Sequence, residues 1–174
     1  MPTPEPMSLP ALPRSIEEFV ALRDRTATTP QGGAAMLVVA LLLHAEDETL
    51  GGQCLAAAVA AERLAEGGGG YQGWRLRRSD LQRNHEQIKN QPYLPRSYIQ
   101  GTRPDDGYEL PAPPYTCEFS ANRYSGDPTE GRFKLFVACS GAPTPRPVTV
   151  RRNALGVWQA YEWSSLIVGV ARTA

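Results

Sequence analysis

The sequence predicts an α+β fold in which about four N-terminal helices pack on a C-terminal antiparallel β-meander of four to five strands. Proline is absent between residues 31 and 91, whereas ten of the 16 prolines fall between Pro92 and Pro147. Because proline lacks an N–H and clashes with the preceding turn, the proline-free block is where helices can run. Eleven of the 14 aromatic residues follow residue 91, and aromatic side chains fit pleated, half-buried surfaces. Helices first and strands second indicate two packed layers.

Length and charge limit the organisation and the class of protein. The 174 residues suit one domain, which we place at residues 15–172, helical over 15–90 and a sheet over 92–170, after a Pro-rich flexible arm at residues 1–14. Lys+Arg and Asp+Glu both number 18, and this balance removes the usual reason to propose a nucleic-acid partner. The longest apolar run, residues 34–43, is too short to span a bilayer. Since residues 1–14 also lack the features of a secretory signal, we expect a soluble, cytoplasmic protein without a membrane span.

Start signals locate the helices. Ser15 and Glu18 form a capping box, and Thr29-Pro30 combines an N-cap with proline at the first helical position. These signals predict helices near residues 16–27 and 30–44, the second buried on all sides. Glycines 32 and 33 would let another backbone approach it closely. Further helices are expected at residues 49–65, ended by the glycines at 67–70, and at 79–90.

Alternating apolar residues predict strands at residues 94–100, 115–123, 132–140, 147–152 and 157–166. Turn clusters separate most of them, which is typical of an antiparallel meander. A loop centred on Pro128 places Phe119 opposite Val137 and Cys117 opposite Cys139, and so brings like faces together. The two cysteines are then either small buried hydrophobes or a cross-strand disulfide, and a reducing compartment favours the first.

Metal and cofactor chemistry has little support. Three cysteines without CxxC spacing and two histidines do not supply the four closely spaced ligands of a structural zinc site. No convergent acid–base set is visible either, so we predict no metal and no cofactor. We leave the question of an enzyme open, with a non-enzymatic protein favoured.

The strongest site candidate is the long Pro/Gly segment at residues 96–115. Loops of this length in a compact domain are often functional, and tyrosine and arginine dominate binding hot spots. The alternative is that its prolines stiffen a crossing between strands and Arg–Asp pairs hold it in place. With a tryptophan of the last strand, the predicted binding surface comprises Arg96, Tyr98, Gln100, Arg103, Asp105, Asp106, Tyr108 and Trp163.

Several strings in the chain resemble an uncharacterised bacterial family known as a domain of unknown function. They are SIEEFVALRD, TPQGGAAM, RSYIQGT, GYELPAPPY and GVWQAYEWSSLIVGV, and the resemblance covers almost all of residues 12–172. The family has no established activity, so the resemblance implies no functional residues.

The sequence is compatible with two functions. The first is a non-enzymatic protein-interaction domain of the accessory, adaptor or immunity type, whose partner is another protein. The second is a small-ligand-binding protein or enzyme with a pocket between the helical layer and the sheet. There Tyr98, Arg103, Asp105 and Asp106 would be the polar groups. The sequence is compatible with a homo-oligomer and does not specify a pathway.

Overall fold

The computed structural model describes residues 3–173 and confirms the α+β fold. Within these residues the four α-helices are α1 (Ile16–Thr26), α2 (Pro30–Glu46), α3 (Glu48–Ala58) and α4 (Arg78–Asn90). The strands are β1 (Met7–Leu9), β2 (Leu64–Tyr71), β3 (Trp74–Leu76), β4 (Tyr115–Cys117), β5 (Phe119–Ser120), β6 (Arg132–Val137), β7 (Arg146–Arg152) and β8 (Trp158–Glu162). Strands β5 to β8 form an antiparallel meander, while β1 pairs with β4 and β2 with β3. None of the helices described is long and apolar enough to cross a membrane.

Two helices begin at the predicted caps. The Ser15 hydroxyl accepts a hydrogen bond from the Glu18 N–H at 3.1 Å, at the start of α1. The Thr29 hydroxyl accepts from the Gly32 N–H at 3.1 Å, and Pro30 opens α2. These acceptors satisfy N–H groups that a helix start leaves unpaired.

Helix α2 is the centre of the core. Every residue from Gly32 to His44 is buried, because the helix packs against α3 and also on β6, β7 and β8. Burial on all sides explains an apolar run with no polar stripe. A Cβ atom at Gly33 would lie 2.7 Å from the Trp158 carbonyl oxygen in β8. The predicted close approach of another backbone is therefore confirmed.

The register of the main sheet agrees with the prediction at β5 and β6, where Phe119 lies opposite Val137. The predicted pairing of Cys117 with Cys139 is wrong. The segment expected as one strand divides after Cys117, and this cysteine pairs with Met7 of β1 in a separate ladder. All three cysteines carry free thiols.

Helix α3 ends at Ala58, earlier than the expected residue 65, because the residues that follow it hydrogen-bond to β8. The N–H of Ala60 donates to the Ala160 carbonyl at 2.8 Å. The glycines at 67–70 do not stop a helix but lie within β2. A Cβ at Gly70 would lie 1.8 Å from the Trp74 carbonyl oxygen, so glycine permits the close contact of the β2–β3 hairpin.

Two further expectations are corrected. Residues 94–100 form a 3₁₀ turn, Leu94–Tyr98, in place of a strand, and the Ser97 hydroxyl donates to the Leu94 carbonyl at 2.6 Å. Such a local bond competes with strand pairing. The expected flexible arm at residues 1–14 contains β1, whose Leu9 is buried in the core. Met1 and Pro2 of that arm lie outside the described residues.

Candidate functional site

The tyrosines of the predicted 96–115 surface are buried parts of the framework. The Tyr98 hydroxyl donates to the Leu166 carbonyl at 2.7 Å and accepts from Arg146 at 3.1 Å. The Tyr108 hydroxyl donates to the Ala171 carbonyl. Burial raises the pKa of both phenols above the ordinary value. Both side chains therefore hold the C-terminal segment in place and do not face a partner.

The charged members of that segment lie at the surface. The Arg103 Nε donates to the Asp106 carboxylate at 3.2 Å, an Arg–Asp pair of the kind that the scaffolding interpretation expects. Asp105 and Gln100 are exposed, and Arg96 is half-buried.

A cleft of about 210 Å³ lies beside this segment, but it gathers few of the predicted residues. Tyr98 and Gln100 line it, whereas Arg103, Asp105 and Asp106 do not. Trp163 is buried at a different cleft, between α4 and β8. The structure therefore does not bring the eight predicted residues into one site.

Three arginines from separate parts of the chain surround Tyr161 on the sheet face opposite α2. The guanidinium carbons of Arg63, Arg151 and Arg132 lie 4.5, 5.0 and 5.1 Å from the centre of the Tyr161 ring. These distances are within the cation–π range. The Arg63 Nε also donates to the Tyr161 carbonyl at 2.9 Å. We call these four residues the arginine face.

Two glutamates accompany the arginine face at distances too long for hydrogen bonds. A Glu162 oxygen lies 3.6 Å from Arg63 and 3.9 Å from Arg132, and a Glu62 oxygen lies 3.6 Å from Arg151. The carboxylates therefore attract the arginines without occupying their N–H donors. Within residues 3–173 neither Arg132 nor Arg151 donates a side-chain hydrogen bond.

The strand register makes this arrangement unfavourable by itself. Arg132 lies directly opposite Arg151 across β6 and β7, and like charges in opposed positions destabilise a sheet. The ladder between β7 and β8 shifts by one residue, and Tyr161 is the extra residue. Bulges re-aim side chains and are common next to functional sites.

Comparison with protein families identifies the chain. A family model described as a domain of unknown function (DUF6935) matches residues 11–174. The chain belongs to that family. No curated protein and no solved structure matches it. The resemblance inferred from the sequence strings is thus confirmed, and the match covers both the helical part and the sheet of the DUF6935 domain.

Sequence reasoning missed the arginine face of the DUF6935 domain. A signal was present in β6, where Arg132 and Lys134 alternate with the buried Phe133 and Leu135. That alternation indicates an outward basic row. The other residues of the arginine face could not be predicted from the sequence, because their positions depend on the register of β7 and on the bulge at Tyr161.

The buried titratable groups of the DUF6935 domain offer little chemistry. In the part of the chain that the structure describes, no three His, Cys, Asp or Glu residues are placed to hold a metal ion. Burial raises the pKa of the Cys54 thiol to about 12, so this cysteine is protonated at neutral pH and unsuited as a nucleophile. Both ring nitrogens of His44 are buried without a hydrogen-bond partner.

Proposed function

We propose that this domain is a non-enzymatic interaction module whose arginine face docks an acidic segment of another protein. The observation that carries the proposal is the opposition of Arg132 and Arg151 across β6 and β7. Opposed like charges destabilise a sheet. Proteins break such local rules mainly at functional sites, and Glu162 and Glu62 lie beyond hydrogen-bond distance of the pair. A partner carboxylate placed between the two guanidinium groups would relieve their repulsion.

The geometry of the donors supports a carboxylate partner. Each guanidinium has five N–H donors in a planar fork that matches a carboxylate in a bidentate manner. The donors of Arg132 and Arg151 are unused within the described residues, and packing against the Tyr161 ring limits their rotation. Less rotamer freedom is then lost on binding, which favours affinity.

The same geometry disfavours a nucleic acid. A single strand binds by stacking bases on exposed aromatic rings along a basic groove. Three guanidinium groups surround the Tyr161 ring, so arginine side chains already occupy the positions where a base would stack.

The proposal places the domain in the bacterial cytoplasm. Three free thiols, two of them buried, suit a reducing compartment, and the family resemblance suggests a bacterial source. A partner protein would then come from the same cell, and a second copy of the chain counts among the partners to be tested.

Fluorescence anisotropy with a labelled, terminally capped hexaglutamate peptide tests the proposal. We expect saturable binding that weakens as the salt concentration rises. Arg132→Gln and Arg151→Gln should each weaken binding about tenfold or more, as expected for the loss of a charged hydrogen bond.

Arg123→Gln is the matched control. It removes one positive charge and one cation–π contact, with Tyr124 at 4.8 Å, from the loop between β5 and β6. It should leave peptide affinity unchanged. Peptide binding that is insensitive to Arg132→Gln and Arg151→Gln would refute the proposed surface. Tighter binding of a single-stranded oligonucleotide than of the peptide would refute the proposed partner class.

A further inference from the structure

A second cleft, of about 260 Å³, lies between α4 and the end of β8. Helix α4 forms one wall, and the chain from Tyr161 to Ile167 forms the other. The volume is just below the roughly 300–1,000 Å³ typical of pockets for drug-sized ligands, so an occupant must be small. The lining residues are Arg63, Asp80, Arg83, Asn84, Tyr161, Glu162, Trp163, Ser164 and Ile167.

Asn84 is the residue of this cleft that indicates a ligand. The residue is 99% buried, and neither its side-chain amide nitrogen nor its amide oxygen has a hydrogen-bond partner among the described residues. Leaving a buried polar group unsatisfied costs about 1–3 kcal/mol. Asn84 lines the cleft in the middle of α4, where a residue with no polar role would be apolar.

The walls of the cleft carry charges of both signs. Asp80 and Arg83 lie one turn apart on α4, and within residues 3–173 neither forms an ion pair. Across the cleft, Arg63 and Glu162 lie 3.6 Å apart, beyond hydrogen-bond distance. A simple anion would meet two carboxylates, and a simple cation would meet two guanidinium groups. A ligand that carries one charge of each sign matches both.

We propose that this cleft binds a free α-amino acid with an apolar side chain. Arg83 and Arg63 would hold the carboxylate, since arginine matches that group in a bidentate manner. Asp80 and Glu162 would hold the ammonium group. The Asn84 amide both donates and accepts, and a rotation of this side chain toward the cleft on binding would pair it with the zwitterion. The buried Trp163 and Ile167 give the side chain an apolar wall.

This site goes beyond the proposed docking function, because it takes a small ligand and uses α4, to which the arginine face does not extend. The two sites share Arg63, Tyr161 and Glu162 along one border. The variants that separate them are therefore chosen from the unshared residues: Asn84 and Asp80 for the cleft, and Arg132 and Arg151 for the arginine face.

Isothermal titration calorimetry with L-leucine is the first test. We expect saturable binding and a melting temperature that rises with L-leucine concentration, because the ligand binds the folded state. Two further probes each carry only one of the two charged groups of L-leucine. The first, 4-methylpentanoate, lacks the amino group, and the second, 3-methylbutylamine, lacks the carboxylate. Each should bind at least about tenfold more weakly than L-leucine, the loss of one charged hydrogen-bond partner. L-Aspartate should also bind more weakly, because its side chain would meet an apolar wall.

Asn84→Leu gives a pair of opposite effects that a purely structural asparagine would not produce. It should abolish L-leucine binding and raise the melting temperature of the ligand-free protein, because it removes two unsatisfied buried atoms. Asp80→Asn is the second variant. It should weaken L-leucine binding about tenfold and strengthen the weak binding of 4-methylpentanoate, an anion that the Asp80 carboxylate repels. Asp105→Asn, an exposed carboxylate outside the cleft, is the control and should change neither.

Three results would overturn the assignment. The first is the absence of saturable binding for L-leucine and the other apolar amino acids at millimolar concentration. The second is equal binding of L-leucine and 4-methylpentanoate, which would indicate an anion site. The third is unchanged affinity in both Asn84→Leu and Asp80→Asn. Hexaglutamate binding by these variants reports on the arginine face separately, so a failure of one proposal is distinguishable from a failure of the other.

Discussion

Replacing Gly33 with alanine tests the packing of α2 on the sheet. In an unobstructed helix interior, alanine is more favourable than glycine by about 1 kcal/mol. At Gly33, however, the added Cβ would lie 2.7 Å from both the Cβ and the carbonyl oxygen of Trp158 and 2.9 Å from its carbonyl carbon. Helix propensity and the steric clash change the free energy of unfolding in opposite directions, and the clash is the larger effect here.

The size of the effect follows from how far β8 would have to move. Ordinary contact begins near 3.4 Å, so the Trp158 carbonyl would have to withdraw by about 0.7 Å. That strand position is fixed on two sides: Trp158 pairs with Arg152 of β7, and its N–H donates to the Ala27 carbonyl at 2.9 Å. Overpacking typically costs about 1–3 kcal/mol, and contact with a fixed backbone puts Gly33→Ala at the upper end. After the gain in helix propensity, we expect a net loss of about 2 kcal/mol.

Urea unfolding followed by tryptophan fluorescence and by circular dichroism measures this loss. For a domain of this size, about 2 kcal/mol corresponds to a fall in melting temperature of about 4–8 °C. The control is Gly68→Ala in β2, where a Cβ meets nothing within 4 Å. It should leave stability unchanged or raise it by up to about 1 kcal/mol through the unfolded chain. If Gly33→Ala is as stable as Gly68→Ala, the close packing of α2 on β8 is refuted.

Two further predictions concern titratable groups. Burial lowers the pKa of His44 below 6.5, with His85 adding to the effect and Glu48 opposing it; the unfolded chain therefore binds the proton more readily. Stability should be fully present above about pH 6.5 and fall as the pH drops through the folded-state pKa, by at most about 1.4 kcal/mol per pH unit. Urea midpoints between pH 7.5 and 5 measure this slope, which His44→Leu should flatten; an equal slope in that variant would contradict the assignment. Separately, a thiol reagent at pH 8 should label the half-buried Cys139 in the native protein and spare the two fully buried cysteines, and mass spectrometry that finds another cysteine labelled first would contradict the burial pattern.

The elements that the sequence predicts well depend on short-range interactions. The caps at Ser15 and Thr29 act on N–H groups three residues away, so they are visible in a few letters. The register of Phe119 with Val137 depends only on one loop and on the alternation of the two strands beside it. The family resemblance is also confirmed, since it depends on strings and not on their folding.

The predictions that failed depend on distant partners. Residues 59–65 have helical periodicity, yet α3 ends at Ala58 because the N–H of Ala60 pairs with Ala160. Residues 7–9 carry no strong strand signal, yet they become β1 because β4 offers a free edge. A bond to a strand about 100 residues away leaves no mark in the local pattern.

The same limit applies to the candidate sites. Tyr98 and Tyr108 are of the residue types that favour binding surfaces, but their hydroxyls bond to carbonyls 68 and 63 residues further along the chain. The composition of a segment does not show whether a tyrosine faces a partner or the interior. The predicted surface at residues 96–115 is therefore partly framework, and the arginine face was not predicted at all.

Local signals in the sequence were sufficient to predict the order of helices and meander, the starts of α1 and α2, the complete burial of α2 and the pairing of β5 with β6. Each follows from contacts within a few residues, from the apolar run itself or from one hairpin. Long-range packing sets the end of α3, the burial of the tyrosines and the contact of Arg63 with Tyr161, which are 98 residues apart. Side chains from distant segments come into contact only once strand register and layer packing are established, and both proposed sites are built from such contacts.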